Sequence, residues 1–356
     1  MEPLLVPHTM RGFNSRDRLH NTYEVPVPSD IDPRLLKVQK TLAKKFGQES
    51  ASIVSTATTR SKITTVLPTG IPVLDEYVIG CGGLPTRRIS ELYGGEGDGK
   101  TSLAYAICAS AQKAGAVVGW CDSEHAFDMA RAQSFGMDPK AALLMDPYTL
   151  EESLNQQLEF LRALDDGGAP VLLVWDSLSG APPQAALDGN AGDKAVAERA
   201  RLLSVNVPAM LALCVKKNAH WLVINQLREK IGVMYGDNTT TPGGRTLKYF
   251  ASIRLRIYGG KAIKAGEADN QIGKMVTISG VKSRWAPAYR KARLRWLFKK
   301  GYDLDWSLVN HFKSQGLVSG RDRNALDKAR ELAAQERWEG DDAQGDSSGG
   351  DADDDE

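Results

Sequence analysis

The chain has 356 residues, enough for one large or two modest domains, and its 42% apolar and 25% charged content is that of an ordinary globular protein. No apolar run reaches the ~18 to 20 residues of a membrane helix, and the opening "MEPLLVPHTMRGF" lacks the basic start and apolar core of a secretory leader, so a cytoplasmic protein with no membrane partner is expected. The net charge of +1 conceals an asymmetry: Glu339 to Glu356 holds nine of the 44 acids and no Lys or Arg, so Met1 to Trp338 carries 45 bases against 35 acids. A basic body suits a polyanionic partner, and an acidic tail can compete for the same surface or serve solubility alone. Cys81, Cys108, Cys121 and Cys214 have neither paired nor metal-like spacing, which favours buried, reduced thiols.

Residues 1–33 are rich in Pro, Arg and polar residues without periodicity and read as an extension of little fixed structure. "DPRLLKVQKTLAKKF" then predicts a basic amphipathic helix, started by Asp32 and Pro33, with Leu35, Leu36, Val38, Leu42 and Phe46 near one face. This helix and a linker occupy 34–66. Apolar runs at Ile89–Tyr93, Ala116–Cys121, Val171–Trp175 and Trp221–Ile224, with helical patterns between them, predict a mostly parallel sheet covered on both faces. Further on, "SIRLRI", "MVTISGV" and "RLRWLF" alternate at period two and predict antiparallel additions at the sheet edge. An α/β core over 67–300, a short helical region over 301–338 and a disordered acidic tail over 339–356 complete the organisation.

Between the first of these strands and a helix carrying Leu103, Ile107 and Ala111 lies "GGEGDGKT". Gly94, Gly99, Lys100 and Thr101 match the phosphate-binding loop, in which backbone N–H groups cradle phosphates, the lysine reaches the terminal ones and the hydroxyl helps hold Mg2+. The following helix points its positive dipole end at the same place, and Gly115 stands where a helix C-cap belongs. In doubly wound sheets ligands lie beyond the carboxyl ends of the strands, which is where "DSEHAFD" and Asp176 fall. Asp176 suits the magnesium-holding Walker B acid and Glu124 the base that orients an attacking water; the plainer role for either is a helix cap or solvated turn. The last parallel strand ends in Asn225 and Gln226, able to hydrogen-bond a γ-phosphate, and runs into a Gly- and Thr-rich loop, a sensor followed by a mobile segment. From Asn270 to Tyr302 there are nine Lys or Arg and no acid, interleaved with Trp285, Tyr289, Trp296 and Phe298. That composition suits phosphates of a nucleic acid, or merely a strand pair with a solvated basic face.

At these residues the sequence resembles the RecA family of homologous recombinases over roughly Leu35 to Gly301. The shared stretches include "LPTGIPVLDEYVIGCGGLPTRRISELYG", "DSEHAFD", "WDSLSGAPP" and "INQLREKIGVMYG" through "TPGGRTLKYFASIRLRI", the last being the most specific. The resemblance implies a RecA-like P-loop NTPase core and a DNA-dependent ATPase that polymerises as a helical filament on single-stranded DNA, then pairs it with homologous double-stranded DNA in recombination, repair and the SOS response. Single-strand-binding and mediator proteins are further implied partners.

By the same resemblance ATP would lie on Gly94, Gly95, Glu96, Gly97, Asp98, Gly99, Lys100, Thr101 and Ser102, with Mg2+ at Thr101 and Asp176. Glu124 would be the catalytic carboxylate, Gln226 the γ-phosphate sensor, and Asp128 would approach the adenine, with Arg131 in the place of the family's usual stacking tyrosine. A first DNA-binding loop would include Asp188, Gly189, Asn190 and Lys194. A second would include Arg228, Lys230, Met234, Tyr235, Thr240, Gly243, Gly244 and Arg245. Lys282 and Arg284 stand where the family has two lysines that reach the neighbouring subunit's ATP, and the helix at Leu35 to Phe46 matches the segment that docks on the next protomer. The shortened C-terminal region and long N-terminal extension resemble a phage-encoded or otherwise divergent member. Two other functions share these motifs: a ring helicase motor, for which the first 33 residues are too short to form the expected extra domain, and a filament-forming mediator without useful turnover, against which Glu124, Asp176 and Gln226 argue.

Overall fold

The computed structural model describes residues 31–47, 50–51, 53, 65–189, 193–229, 239–265, 270–319 and 324–341. The chain divides into two compact units, Met1–Thr59 and Arg60–Glu356. In the first, α1 (Pro33–Phe46) begins where expected: Arg34 N–H donates to the Asp32 carboxylate at 2.8 Å and Pro33 opens the helix. None of its residues is buried, and Leu35, Leu36, Val38 and Phe46 are exposed.

The second unit opens with β1 (Val66–Leu67), a π-helix at Val73–Ile79, β2 (Leu84–Pro85) and β3 (Arg88–Gly94). It continues through α2 (Lys100–Lys113), β4 (Val117–Asp122), α3 (Met129–Ser134), β5 (Ala142–Met145), α4 (Leu150–Ala163) and β6 (Val171–Asp176). Then come α5 (Gln184–Leu187), α6 (Asp193–Lys216), β7 (Ala219–Gln226), β8 (Arg228–Glu229), β9 (Thr239–Thr240) and α7 (Thr246–Phe250). The last elements are β10 (Ile253–Ala265), β11 (Asn270–Lys282), β12 (Arg290–Leu297), β13 (Gly301–Tyr302), α8 (Leu304–Ser314) and α9 (Ala325–Asp341).

A nine-stranded sheet runs in the order β13-β12-β11-β10-β3-β7-β6-β4-β5. From β10 to β5 every neighbour is parallel, and from β10 outward to β13 every neighbour is antiparallel, so the chain builds a doubly wound half and a meander on one sheet. Each strand of the parallel half feeds both faces. Leu92, Trp120, Val174 and Leu222 belong to the cluster that also holds α2, whereas Ile89, Cys121, Trp175 and Trp221 belong to the cluster under α4 and α6. A buried tryptophan favours a partner for its N–H: Trp221 donates to Gln157 at 2.8 Å and Trp175 to Ser123 at 3.0 Å, with the two rings stacked 5.9 Å apart, whereas the buried Trp120 N–H finds no acceptor among the described residues.

The edge strand β5 is too short and too exposed (Leu143 55%, Leu144 49%) to have been read from the sequence. Among the described residues no helix is long and apolar enough to cross a membrane. Cys108, Cys121 and Cys214 are buried and free as expected, and burial lifts all three thiols; Cys81 is free but only half-buried.

Candidate nucleotide site and its surroundings

Strand β3 ends at Gly94 and α2 begins at Lys100, so the eight-residue loop is the strand-to-helix connection its motif requires. Its turn depends on left-handed backbone at Gly97 (φ 68°) and Gly99 (φ 101°), open to glycine at little cost. Asp98 straps the loop down: its carboxylate accepts the Gly95 N–H and the Gly259 N–H of β10, each at 2.7 Å. The Lys100 amine is buried and donates to Gly95 O at 2.7 Å and Gly94 O at 3.3 Å. Burial lowers its pKa, and the carboxylates of Asp98, Asp176, Glu124 and Glu96 oppose that.

Thr101 Oγ1 donates to Asp176 Oδ2 at 2.8 Å, which places a hydroxyl and the acid of β6 side by side at the helix start. Asp176 is buried and pushed up to about 7, first by burial and then by the negative charges of Glu124 and Asp122. A divalent cation there would reverse the balance. Mg2+ takes one or two protein oxygens and fills its octahedron with phosphate oxygens and water, so this pair fits it. Among the described residues no cluster of three His, Cys, Asp or Glu forms an all-protein metal cage.

Beyond β4, Asp122 organises the loop that sequence reading credited to its neighbours. It is buried and accepts the N–H groups of Ala126 and Phe127 at 2.8 and 2.7 Å and of Glu124 at 3.2 Å. Glu124 is thereby exposed at the site, where its carboxylate accepts hydrogen bonds from Ser177 Oγ and, at 3.1 Å, from Gln226 Nε2. Acid and sensor candidates, 102 residues apart in sequence, are in contact.

Beside the loop lies a cleft of about 730 Å³ bounded by Gly97, Asp128, Arg131, Lys274, Trp296 and Phe298. Asp128 caps α3, and Arg131 lies on α3 with its guanidinium 5.6 Å from the Trp296 ring and donating to Ser102 Oγ at 2.8 Å. The arginine is held as a flat cationic surface, in keeping with stacking on a base. Of the aromatics for which the sequence left open a nucleic-acid surface or a plain strand pair, Trp296 is taken into the interior while Phe298 stays exposed. Trp296 is only 4% exposed, and a Cβ on Gly99 would lie 3.1 Å from its ring. It underpins the phosphate loop, while Phe298, packed edge-on to it at 5.1 Å, lines the cleft.

The remaining candidates lie on other elements. Gln184 Nε2 donates to Asp188 at 2.9 Å after α5, Gly189 has φ 86°, and Lys194 is in α6. Arg228 and Thr240 pair across β8 and β9, closing the root of the second loop. Gly243 and Gly244 take φ 95° and 71°, and a Cβ on Gly243 would meet Leu203 at 2.6 Å, so close packing on α6 requires that glycine. Arg245 is exposed at the start of α7. Asn190, Lys230, Met234 and Tyr235 lie outside the described residues, as do residues 342–356 of the tail; α9 runs through Asp341.

Lys282 and Arg284 make no hydrogen bond with the phosphate loop among the described residues. Lys282 Nζ donates to Lys248 O and Tyr249 O at 3.0 and 3.1 Å, while Arg284 is exposed in the connection from β11 to β12. Repulsion from Arg284 adds to burial in lowering the pKa values of Lys282 and of Arg88. Positive charge gathered at one place is suited to an anion from outside the protomer.

One network escaped sequence reading. Glu91, fully buried in β3, accepts from Arg254 Nε at 2.6 Å and Asn225 Nδ2 at 3.1 Å, and Asn225 also donates to Pro242 O at 3.1 Å. It ties β3, β7 and β10 to the return of the second loop. The one available signal was an acid inside the apolar strand "RISELY".

The model of the RecA N-terminal domain matches residues 34–303. Protein RecA of Thermus aquaticus is 38% identical over 280 residues, covering 78% of this chain and 80% of that protein. Protein RecA of Symbiobacterium thermophilum is 36% identical over 280 residues, 79% and 77% of the two chains, and that of Chlorobaculum tepidum 37% over 295 residues, 82% and 83%. With the strand-loop-helix phosphate site, the strand-end carboxylates and the parallel core already in place, these matches show that the chain belongs to the RecA family.

Proposed function

We propose that the protein is an ATP-dependent recombinase that assembles as a helical filament on single-stranded DNA and promotes pairing and strand exchange with a homologous duplex in the cytoplasm. The observation that carries this reading is the 3.1 Å contact between Gln226 and Glu124, because Gln226 ends the strand that leads directly into the second loop. A γ-phosphate entering the loop competes for the Gln226 amide, which frees Glu124 to orient a water and draws on the backbone of the DNA-facing loop. Lys100 exchanges its loop carbonyls for phosphate oxygens. Thr101 and Asp176 would hold Mg2+, whose charge would offset the negative charge of the phosphates. Asp128 and Arg131 hold the base, and the strap from Asp98 to Gly259 keeps the N–H groups of the loop facing the site.

Chemistry is completed across an interface, with Arg284 of one protomer at the γ-phosphate bound to the next. The exposed apolar face of α1 and the exposed edge strand β5 support self-association, since an unpartnered apolar stripe and an unpaired strand edge both invite a second copy. Electron microscopy on single-stranded DNA with a non-hydrolysable ATP analogue, followed by a strand-pairing assay with homologous duplex, tests the reading. A helical filament with pairing is expected. Rings would indicate a helicase-type motor, and filaments without pairing a mediator.

A further inference from the structure

The π-helix Val73–Ile79 contributes no residue to the nucleotide site, yet such a turn is rare and found mostly where function needs its displaced backbone. Its defining bond is present, the Gly80 N–H donating to Asp75 O five residues back at 3.0 Å. The buried Asp75 carboxylate anchors the start by accepting from Thr69 N–H and, at 2.6 Å, Thr69 Oγ1. Carbonyls of a last helical turn have no partner within the helix. Here they are met by the connection between β11 and β12 and by the first residue of β12: Ser283 Oγ donates to Ile79 O at 2.7 Å and Arg290 Nη1 to Tyr77 O at 3.2 Å, with the guanidinium 4.6 Å from the Tyr77 ring.

The Ser283 hydroxyl also accepts the N–H groups of Trp285 at 3.1 Å and Ala286 at 3.3 Å, so one oxygen ties the connection's own turn to the π-turn. The two backbones touch on both sides. A Cβ on Gly80 would lie 2.8 Å from Trp285 O, and one on Gly280 would lie 3.0 Å from Val78 O. Ser283 stands between Lys282, which is engaged on its own protomer, and Arg284, which is exposed.

We propose that the π-turn is the seat of this connection and that Ser283 is a positioning residue for Arg284, presenting the guanidinium to the neighbouring protomer in a fixed place. The inference rests on the interfacial reading above. Order held before assembly need not be gained during it, and a misplacement of about 1 Å can cost up to about a hundredfold in rate.

The test uses the full chain on poly-dT, with ATP turnover and the binding of a fluorescent ATP analogue measured in parallel. Ser283→Ala is expected to lower DNA-stimulated turnover at least tenfold with analogue affinity within twofold of wild type, and Ser283→Thr, which keeps the hydroxyl, to recover to within threefold. Mixed filaments separate positioning from general damage. Combined with Lys100→Ala protomers, which keep an intact connection, Ser283→Ala should regain turnover as Arg284→Ala does. Wild-type turnover in Ser283→Ala overturns the inference alone. So does a loss that Lys100→Ala fails to restore while it restores Arg284→Ala. If Arg284→Ala is itself not complemented in confirmed mixed filaments, the interfacial reading falls and takes this inference with it.

Discussion

The parallel and antiparallel halves of the one sheet handle polar residues in opposite ways. In the central strands of the parallel half, β3, β4, β6 and β7, both faces are largely buried and polar chemistry collects at the carboxyl ends, where Gly94, Asp122, Asp176 and Gln226 all lie. In the antiparallel half polarity alternates along each strand: in β12, Ala292, Leu294 and Trp296 are buried while Lys291 and Arg293 are exposed. A basic-aromatic composition therefore has two meanings in one segment. The aromatic Trp296 supports the nucleotide site from within, while bases such as Lys291 and Arg293 face solvent together with Tyr289 and Phe298.

Five substitutions or truncations probe this contrast. The largest effect is expected at the strand ends: Lys100→Ala removes the buried amine of the loop and should abolish ATP turnover, with nucleotide binding lost in calorimetry. Wild-type-like turnover would remove the loop from the site. Glu124→Gln should retain nucleotide binding and filament formation but slow hydrolysis about 10²- to 10⁴-fold, the usual contribution of a general base. Loss of binding along with turnover would make Glu124 a structural residue.

Within the antiparallel half, Trp296→Ala and Arg293→Ala sharpen the distinction between faces. Truncating the buried indole should cost about 3–5 kcal/mol in denaturant unfolding and weaken nucleotide binding, since the ring backs Gly99. Arg293→Ala, on the exposed side of the same strand, should stay within about 0.5 kcal/mol. Equal losses would mean that alternation does not partition this strand.

The smallest effect concerns the body as a whole. Deleting Glu339 to Glu356 removes nine acids, and single-stranded DNA affinity should rise a few-fold at low salt, the gain shrinking as salt increases. Unchanged affinity at low ionic strength would leave the tail a solubility device.

Much of the nucleotide site was legible because its parts are local. A phosphate loop is eight consecutive residues between a strand and a helix, and an acid after an apolar strand is delivered to the sheet's carboxyl edge by topology alone. The helix start at Asp32 and Pro33 was readable for the same reason, cap and helix being neighbours in sequence. What tertiary structure decided are pairings between distant segments. Asp122 rather than its neighbours holds the β4 loop, Glu91 finds Arg254 and Asn225, and Gln226 meets Glu124, because parallel strands far apart in sequence lie side by side. The place of Trp296 stayed open for a related reason: period two says that alternate residues of β12 share a face, but only packing against the phosphate loop says which face is the core. The π-turn left no sequence signal either, since its extra residue is stabilised by the Ser283 and Arg290 donors, more than 200 residues away.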